Sequence, residues 1–314
     1  MAAARTPPAR RGRARNVGAE AYRGAVRPRA SFRANAQRIL RVLVRAIRDS
    51  IPGIVAGNDP DALHDLRVAL RRYRVLLRGL RRTMNGTTIP LERDLARLFR
   101  EVGPARDAEV WLQFIEKLAE GQSKRMPADR RACLQAVRSR HRAETKRLQR
   151  VLAAPAAKRA LGRAESFVRV TLARPCGGEG SEPFDREVSR RIRRLYSRLE
   201  EEDVHRRLSA DELHEARVRI RRARYWAEMG APVLHRSVAE LDARLHRVAA
   251  ALGDVHDADL HLSATASDGP ALPRAWRRRL SRERRKALDD VEDAWDRLMR
   301  KGFRKRVLDA LYRT

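Results

Sequence analysis

Two segments of this sequence place a histidine ahead of a row of arginines at helical spacing. The first row consists of His64, Arg67, Arg71, Arg74 and Arg78. Side chains three and four residues apart share one face of an α-helix, and no acid interrupts the row between residues 66 and 82. Guanidinium groups carry a fixed charge and a flat fork of N–H donors that suits phosphate oxygens. The first row therefore predicts a helix that binds phosphate groups.

The same pattern returns at an offset of 150 residues. The second row consists of His214, Arg217, Arg221 and Arg224. Residues 63–74 and 213–224 are identical at seven of twelve positions, and further matches at this offset include Gly103 and Asp107 with Gly253 and Asp257. Two matches at one offset predict an internal duplication, in which two arginine helices face each other across a pseudo-twofold axis.

The two rows differ at their C-terminal ends, and each row also has a simpler interpretation in which it binds no ligand. Tyr225 lies near the second basic face, and Glu228 stands where the first row has Arg78. A lone arginine row is often only a solvated face, although such faces usually interleave acids with bases. His64 and His214 are either residues that cap or pack a helix start, or phosphate donors whose charge grows as the pH falls towards about 6.5.

The segments that must position these rows are helical. From Ser31 onward, apolar residues recur at three- and four-residue spacing and alternating β-branched runs are absent, which predicts an all-α protein. Ser209 and Glu212 predict a capping box at the start of the second row. The helices are expected at about 32–50, 61–83, 91–102, 105–119, 128–152, 156–172, 184–202, 210–229, 237–252, 256–262, 273–300 and 303–312.

The predicted domain organisation follows from composition and from the repeat. Residues 1–30 contain eight arginines and one acid, which predicts a disordered basic tail. Residues 31–173 and 184–314 are the two repeats, each predicted to be a helical bundle. The segment 174–183 is rich in proline and glycine and is predicted to be the linker.

The overall charge favours a polyanionic partner. The chain has 71 Lys+Arg against 40 Asp+Glu, a net charge of +31, and 64 of the basic residues are arginines. A polyanion would relieve the resulting self-repulsion, so nucleic acid, polyphosphate and an anionic membrane surface are the candidates. No run of 18 apolar residues predicts a membrane span, and no secretory signal is evident. We therefore expect a cytoplasmic location, and the two isolated cysteines predict neither a metal site nor a disulfide.

The two histidine-led segments resemble a known family. Leu63–Arg74 and Leu213–Tyr225 look like the paired signatures of CHAD domains, the conserved-histidine α-helical domain family, and the Gly103/Asp107 and Gly253/Asp257 pairs are similar to its pattern. The resemblance covers about residues 32–300. It implies two four-helix bundles around a basic central pore or groove that binds inorganic polyphosphate without chemistry of its own, and an association with intracellular polyphosphate granules. The Glu-x-Glu-x-Lys motif of the CYTH triphosphatase domain that precedes some CHAD domains is absent, so no triphosphatase activity is implied.

The rows and the resemblance together predict a set of polyphosphate-binding residues. The set comprises His64, Arg67, Arg71, Arg72, Arg74, Arg78, His214, Arg217, Arg221, Arg222 and Arg224, helped by Arg41, Arg45, Arg190 and Arg194 on neighbouring helices. We expect no catalytic residue, no metal and no cofactor.

Three alternatives compete with polyphosphate binding. His256, Asp257, Asp259 and His261 could ligate a divalent metal in a phosphohydrolase, although a polar loop with a short helix is the better explanation. Non-specific nucleic-acid binding is the main rival, because arginine neutralises phosphate in both polymers and the tail at 1–30 could contribute. Base recognition would need aromatic or Asn/Gln side chains on the basic faces, where Tyr225 is the exception. An adaptor for acidic protein surfaces is the third alternative.

Overall fold

The computed structural model describes residues 22–120, 126–173, 182–201, 209–263 and 272–313. These residues form ten α-helices and no β-strand, which confirms the all-α prediction. The helices are α1 (Phe32–Ala56), α2 (Ala62–Gly79), α3 (Ile89–Ala119), α4 (Ala128–Ala153), α5 (Pro155–Ser166), α6 (Phe184–Arg198), α7 (Ala210–Gly230), α8 (Arg236–Leu262), α9 (Arg274–Met299) and α10 (Lys301–Tyr312). Within the ranges described, no helix combines the length and the apolarity that crossing a membrane requires.

Local capping explains where two of these helices begin. Ser31 Oγ accepts a hydrogen bond from the Ala34 backbone N–H at 3.2 Å at the start of α1. At the start of α7, Ser209 Oγ accepts from the Glu212 N–H at 3.3 Å, and Glu212 Oε2 accepts from the Ser209 N–H at 2.8 Å. This arrangement is the predicted capping box, which satisfies two N–H groups that the helix itself leaves free.

Two predicted helix breaks are wrong. Helix α3 continues through Pro104, and α8 continues through Gly253. On both sides of each position the apolar stripe is uninterrupted, because Val102, Ala105, Leu252 and Val255 are all buried. Packing of a continuous apolar face therefore outweighs the poor helix propensity of proline and glycine at these positions.

The two halves of the chain pack on one core. Helices α1–α5 and α6–α10 each comprise four longer helices and, after them, a 12-residue helix. The main hydrophobic cluster takes residues from both, for example Leu70 and Tyr73 with Ile192 and Trp226. The internal duplication itself stays a prediction from the sequence repeat, and residues 174–181 of the predicted linker lie outside the described ranges.

The two halves begin side by side. The Phe32 N–H donates to Glu182 O at 2.8 Å, and the Phe184 N–H donates to Ala30 O at 3.1 Å. The rings of Phe32 and Phe184 stack with their centroids 6.0 Å apart. These contacts fix the starts of α1 and α6 against each other.

Part of the predicted tail is folded. Tyr22 and Val26 are 0% and 4% exposed, and Asn35 on α1 makes two hydrogen bonds with the Arg27 backbone, at 2.8 and 2.9 Å. The prediction of disorder is therefore wrong for residues 22–30, because two apolar side chains in this segment join the core. Residues 1–21 lie outside the described part of the chain.

Candidate functional site

Helices α2 and α7 meet near their C-terminal ends. Arg72 forms a buried salt bridge with Glu228, with Nε–Oε2 and Nη2–Oε1 distances of 3.0 and 2.5 Å. Gly79 packs so closely on Trp226 that a Cβ atom at position 79 would lie 2.7 Å from the indole ring. We call these four residues the α2–α7 crossing.

A cavity of about 670 Å³ lies between the N-terminal parts of α2 and α7, and we call it the central pocket. Helices α3 and α8 complete its wall. Its basic side chains are His64, Arg71, Arg72, Arg106, Arg217, Arg221, Arg224 and His246. Its acidic side chains are Asp61, Asp65, Asp254 and Asp257. The pocket therefore joins arginines from both sequence rows, as predicted, but carboxylates that were not predicted accompany them.

Two arginines in the central pocket have a different environment from the others. Arg71 and Arg221, one from each half, form no salt bridge with any residue that the structure describes. Arg71 Nη1 donates instead to Tyr225 Oη at 3.4 Å. Burial, Arg217 and Arg71 lower the pKa of Arg221 to about 9. Burial beside two other cations therefore destabilises the charge of this guanidinium, and a bound anion would stabilise it.

Arg217 is only weakly neutralised. Its Nη2 lies 3.8 Å from Asp257 Oδ1, and its buried Nε has no hydrogen-bond partner in the described structure. Burial, together with Arg71 and Arg67, lowers the pKa of Arg217 to about 10 despite the nearby Asp257. Three guanidinium groups from two helices thus concentrate positive charge at the centre of the pocket.

Other arginines of the pocket are already paired. Arg72 is 6% exposed and bound by Glu228, so this carboxylate already neutralises its charge. Arg224 lies 3.8 Å from Asp242, and burial and Glu228 raise the pKa of Asp242 to about 6. These partners reduce the positive charge that the pocket can offer to a ligand.

The glycine and aspartate pairs of the repeat position the first arginine of each row. Arg67 Nη1 donates to Gly103 O at 3.2 Å and lies 3.4 Å from Asp107 Oδ1. Arg217 and Asp257 repeat the ion pair at 3.8 Å in the second half. Arg67 lies beside the central pocket rather than in its lining.

The two histidines have different surroundings. His64 lines the central pocket, and partial burial with the cations Arg106 and Arg71 lowers its pKa below the ordinary 6.5. At neutral pH this ring is therefore an uncharged hydrogen-bonding group. His214 lies outside the lining, with its ring centroid 5.4 Å from that of His256, whose pKa is lowered to about 4 by burial, Arg217 and His214.

The remaining predicted residues do not reach the central pocket. Arg74 lies over the Phe99 ring at 4.9 Å. Arg41, Arg45 and Arg222 are exposed and outside the lining. Arg78, Arg190 and Arg194 line a second cavity. The predicted residues are therefore divided between the central pocket and this second cavity, which we call the second basic pocket. At 1.5 Å per residue, Arg78 lies about 21 Å along α2 from His64.

Sequence reasoning missed four polar lining residues on α3 and α8. Arg106 and Asp254 each adjoin one of the glycine and aspartate pairs, and this proximity was an available signal. Gln113 and His246 carried no such signal, because their positions depend on how α3 and α8 pack around α2 and α7. A helix face can be read from a sequence, but the crossing of four helices cannot.

The residues of the metal alternative are separated in the structure. His261 stacks on Trp111 with ring centroids 3.9 Å apart, and Asp259 is bound by Arg284. Asp257 faces Arg217. The described ranges contain no group of three or more His, Cys, Asp or Glu side chains suited to a metal ion.

Comparison with known proteins connects this arrangement to a family. The crystal structure of the CHAD domain from the plant Ricinus communis has 20% sequence identity and a TM-score of 0.65, covering 92% of this chain and 94% of that chain. PptA from Streptomyces chartreusis has 13% identity and a TM-score of 0.57, covering 95% and 99%. No curated protein matches. The sequence pattern of the CHAD domain matches residues 38–266, which include both histidine-led helices and the α2–α7 crossing, and the chain therefore belongs to the CHAD domain family.

Proposed function

We propose that the central pocket binds inorganic polyphosphate. The observation that carries this proposal is the pair Arg71 and Arg221, two arginines from opposite halves that line one cavity without a salt bridge to any described residue. Arg217 lies beside them with only a distant carboxylate, 3.8 Å away. A chain of phosphates would supply several oxygens to these guanidinium forks at once.

The aromatic content of the pocket favours a phosphate chain over nucleic acid. Tyr225 lines the pocket but is 3% exposed, and its hydroxyl accepts the Arg71 hydrogen bond. A base would need an accessible ring face on which to stack. Non-specific nucleic-acid binding is therefore the second candidate, and a direct comparison of the two polymers distinguishes them.

We also propose that binding occurs without chemistry. The groups at the centre of the pocket are guanidiniums, which donate hydrogen bonds and keep their protons at neutral pH. Incubation of long-chain polyphosphate with the protein should leave its chain length unchanged. Release of orthophosphate that disappears in the Arg71→Glu/Arg221→Glu variant would show that the protein is an enzyme. Binding of this kind would bring a cytoplasmic protein to polyphosphate granules.

The central test is charge reversal at Arg71 and Arg221. We expect Arg71→Glu/Arg221→Glu to abolish polyphosphate binding at the central pocket in a titration at fixed salt, with unchanged helicity by circular dichroism. Salt must be fixed because the affinity of any polyanion depends steeply on it. Single- and double-stranded DNA and RNA at matched phosphate concentration provide the comparison.

Arg41→Glu/Arg45→Glu is the matched control. It makes the same change in net charge on an exposed face of α1 outside the central pocket. Equal losses in the two double variants would show that net charge alone governs binding, and would contradict the pocket assignment. Equal or tighter binding of nucleic acid by the wild-type protein would favour the second candidate.

A further inference from the structure

A second contact joins the two halves of the chain, between the C-terminal parts of α3 and α8. The His261 ring on α8 stacks on Trp111 of α3, with ring centroids 3.9 Å apart and an angle of 23° between the planes. Phe114 on α3 continues the stack, with its centroid 5.6 Å from that of Trp111 and 5.8 Å from that of His261. We call these three residues the ring stack. It joins the halves through helices other than those of the α2–α7 crossing.

The ring stack belongs to an apolar cluster that is separate from the main core. This cluster takes residues from α3, α4, α8 and α9, and its buried members include Leu118, Leu134, Ala258, Trp276 and Leu280. None of the three residues of the ring stack belongs to the main cluster of the described chain. The contact between α3 and α8 therefore has packing of its own.

The ring stack adjoins the central pocket without lining it. Gln113, which lines the pocket, lies between Trp111 and Phe114 in the sequence. Asp257, which also lines the pocket, lies about 6 Å before His261 along α8, at 1.5 Å per residue. The separation of the α3 and α8 walls is therefore fixed next to the pocket by the contact of three rings.

The sequence repeat relates the ring stack to the arginines of the central pocket. At the offset of 150 residues, Trp111 corresponds to His261, just as Arg71 corresponds to Arg221. In an arrangement with twofold symmetry, equivalent residues meet only at the axis. Trp111 and His261 are in contact, and Arg71 is close enough to Arg221 to lower its pKa. The predicted pseudo-twofold axis therefore passes through both the pocket and the ring stack, and the stack lies where it sets the distance between the halves.

This contact depends on the shape of the rings. His261 is 7% exposed, and its Nε2 has no hydrogen-bond partner in the described structure. Burial, His256 and Arg140 lower the pKa of His261 to about 4, so the ring is uncharged at neutral pH. A neutral ring whose buried nitrogen has no hydrogen bond contributes by stacking, which a phenyl ring would also provide.

We propose that the ring stack is a positioning element for the central pocket: Trp111, Phe114 and His261 hold α3 and α8 at the separation at which arginines of both halves bind one phosphate chain. This step rests on the proposed function for the identity of the ligand. Without the stack, α3 and α8 adopt a range of separations. Only the fraction of molecules with the original spacing then binds with full affinity.

Trp111→Leu in the full chain tests the proposal. Titration with long-chain polyphosphate at fixed salt should show binding weakened by about tenfold, the upper end of what two stacked rings contribute. Trp295→Leu is the matched control, because it makes the same substitution at a buried ring of α9 in the main cluster. The control should lower stability and leave the affinity unchanged. Equal losses of affinity in the two variants would contradict the proposal.

Two substitutions at position 261 identify which property of the ring is needed. His261→Phe keeps a ring and removes the unpaired Nε2, so its affinity should lie within about twofold of wild type. His261→Ala removes the ring and should weaken binding as much as Trp111→Leu does. Equal weakening by both substitutions would show that the imidazole nitrogens are needed rather than the stacking, and would overturn the proposal.

Hydrogen exchange separates a failure of this proposal from a failure of the proposed function. Without ligand, Trp111→Leu should raise the exchange of backbone amides at 250–262 of α8, in the other half of the chain, more than Trp295→Leu does. Unchanged exchange and unchanged affinity in Trp111→Leu would overturn the ring stack alone. A wild-type protein that binds no polyphosphate would overturn the proposed function and the ligand named here, whereas the exchange result would still show that the stack holds α8 against α3.

Discussion

The central pocket and the second basic pocket use the same residue type but support their arginines differently. In the central pocket, Arg71 and Arg221 have no salt bridge to a described residue. In the second basic pocket, Arg190 and Arg191 share the carboxylate of Glu187. The difference shows that arginine number does not determine where positive charge is available. The placement of the carboxylates determines where positive charge is available, and variants of the residues involved test this conclusion.

The largest effect is expected from breaking the buried salt bridge of the α2–α7 crossing. Glu228→Gln leaves the buried Arg72 without its partner, and removal of one member of a buried pair costs about 3 kcal/mol or more of unfolding free energy. Chemical denaturation followed by circular dichroism measures this loss.

Two further variants show whether burial is the cause. Asp94→Asn breaks a salt bridge to Arg163, whose side chain is 52% exposed, and should cost less than about 1 kcal/mol. Arg72→Met/Glu228→Leu removes both buried charges and should be more stable than Glu228→Gln alone. A loss no larger for Glu228→Gln than for Asp94→Asn would show that the crossing does not depend on this pair.

A smaller effect is expected from Asp242, which links the central pocket to pH. The pKa of Asp242 is raised to about 6, so its carboxylate is ionised at pH 7.5 and neutral at pH 5. The charge that opposes Arg224 is therefore lost as the pH falls, and polyphosphate affinity should rise from pH 7.5 to pH 5. Asp242→Asn should bind about fivefold more tightly than wild type at pH 7.5 and equally at pH 5.

Titration of wild type and Asp242→Asn with polyphosphate at both pH values checks this expectation. Asp254 and Asp257 retain raised pKa values, so part of the pH dependence should persist in the variant. The same affinity ratio at both pH values would contradict a role for Asp242. Arg78→Glu/Arg194→Glu should keep the pH dependence, because it leaves the central pocket intact.

The smallest effect is expected from the hydroxyl group of Tyr225. Tyr225→Phe removes the acceptor that orients Arg71 Nη1, and loss of one such hydrogen bond corresponds to about a threefold weaker binding of tripolyphosphate at the central pocket. Tyr73→Phe is the control, because the Tyr73 hydroxyl donates to Ala164 O at 3.1 Å in the core. It should lower stability without changing affinity. Equal affinities in Tyr225→Phe and wild type would show that Arg71 needs no such support.

Much of the fold was predictable from local pattern. The apolar period predicted the all-α class, and the capping box at Ser209 fixed the start of α7. The breaks at Pro104 and Gly253 were predicted wrongly, because single-residue propensities carry no information about the apolar face that continues on both sides.

The site was predictable only in part, for a geometric reason. The repeated rows identified Arg71, Arg217 and Arg221, because side chains on one helix face are related by sequence spacing alone. Pairs such as Arg72 with Glu228 join two helices, and they depend on where those helices cross. The division of the first row between two pockets follows from the same crossing and has no signature in either row.

The contact between Gly79 and Trp226 also has a consequence for sequence variation. A methyl group at position 79 would meet the indole ring at 2.7 Å and the Arg191 guanidinium at 2.9 Å. Even alanine therefore requires a smaller side chain at position 226 or a wider separation of α2 and α7. Among relatives that keep this packing, the two positions should change together, so that glycine at one marks a large aromatic residue at the other.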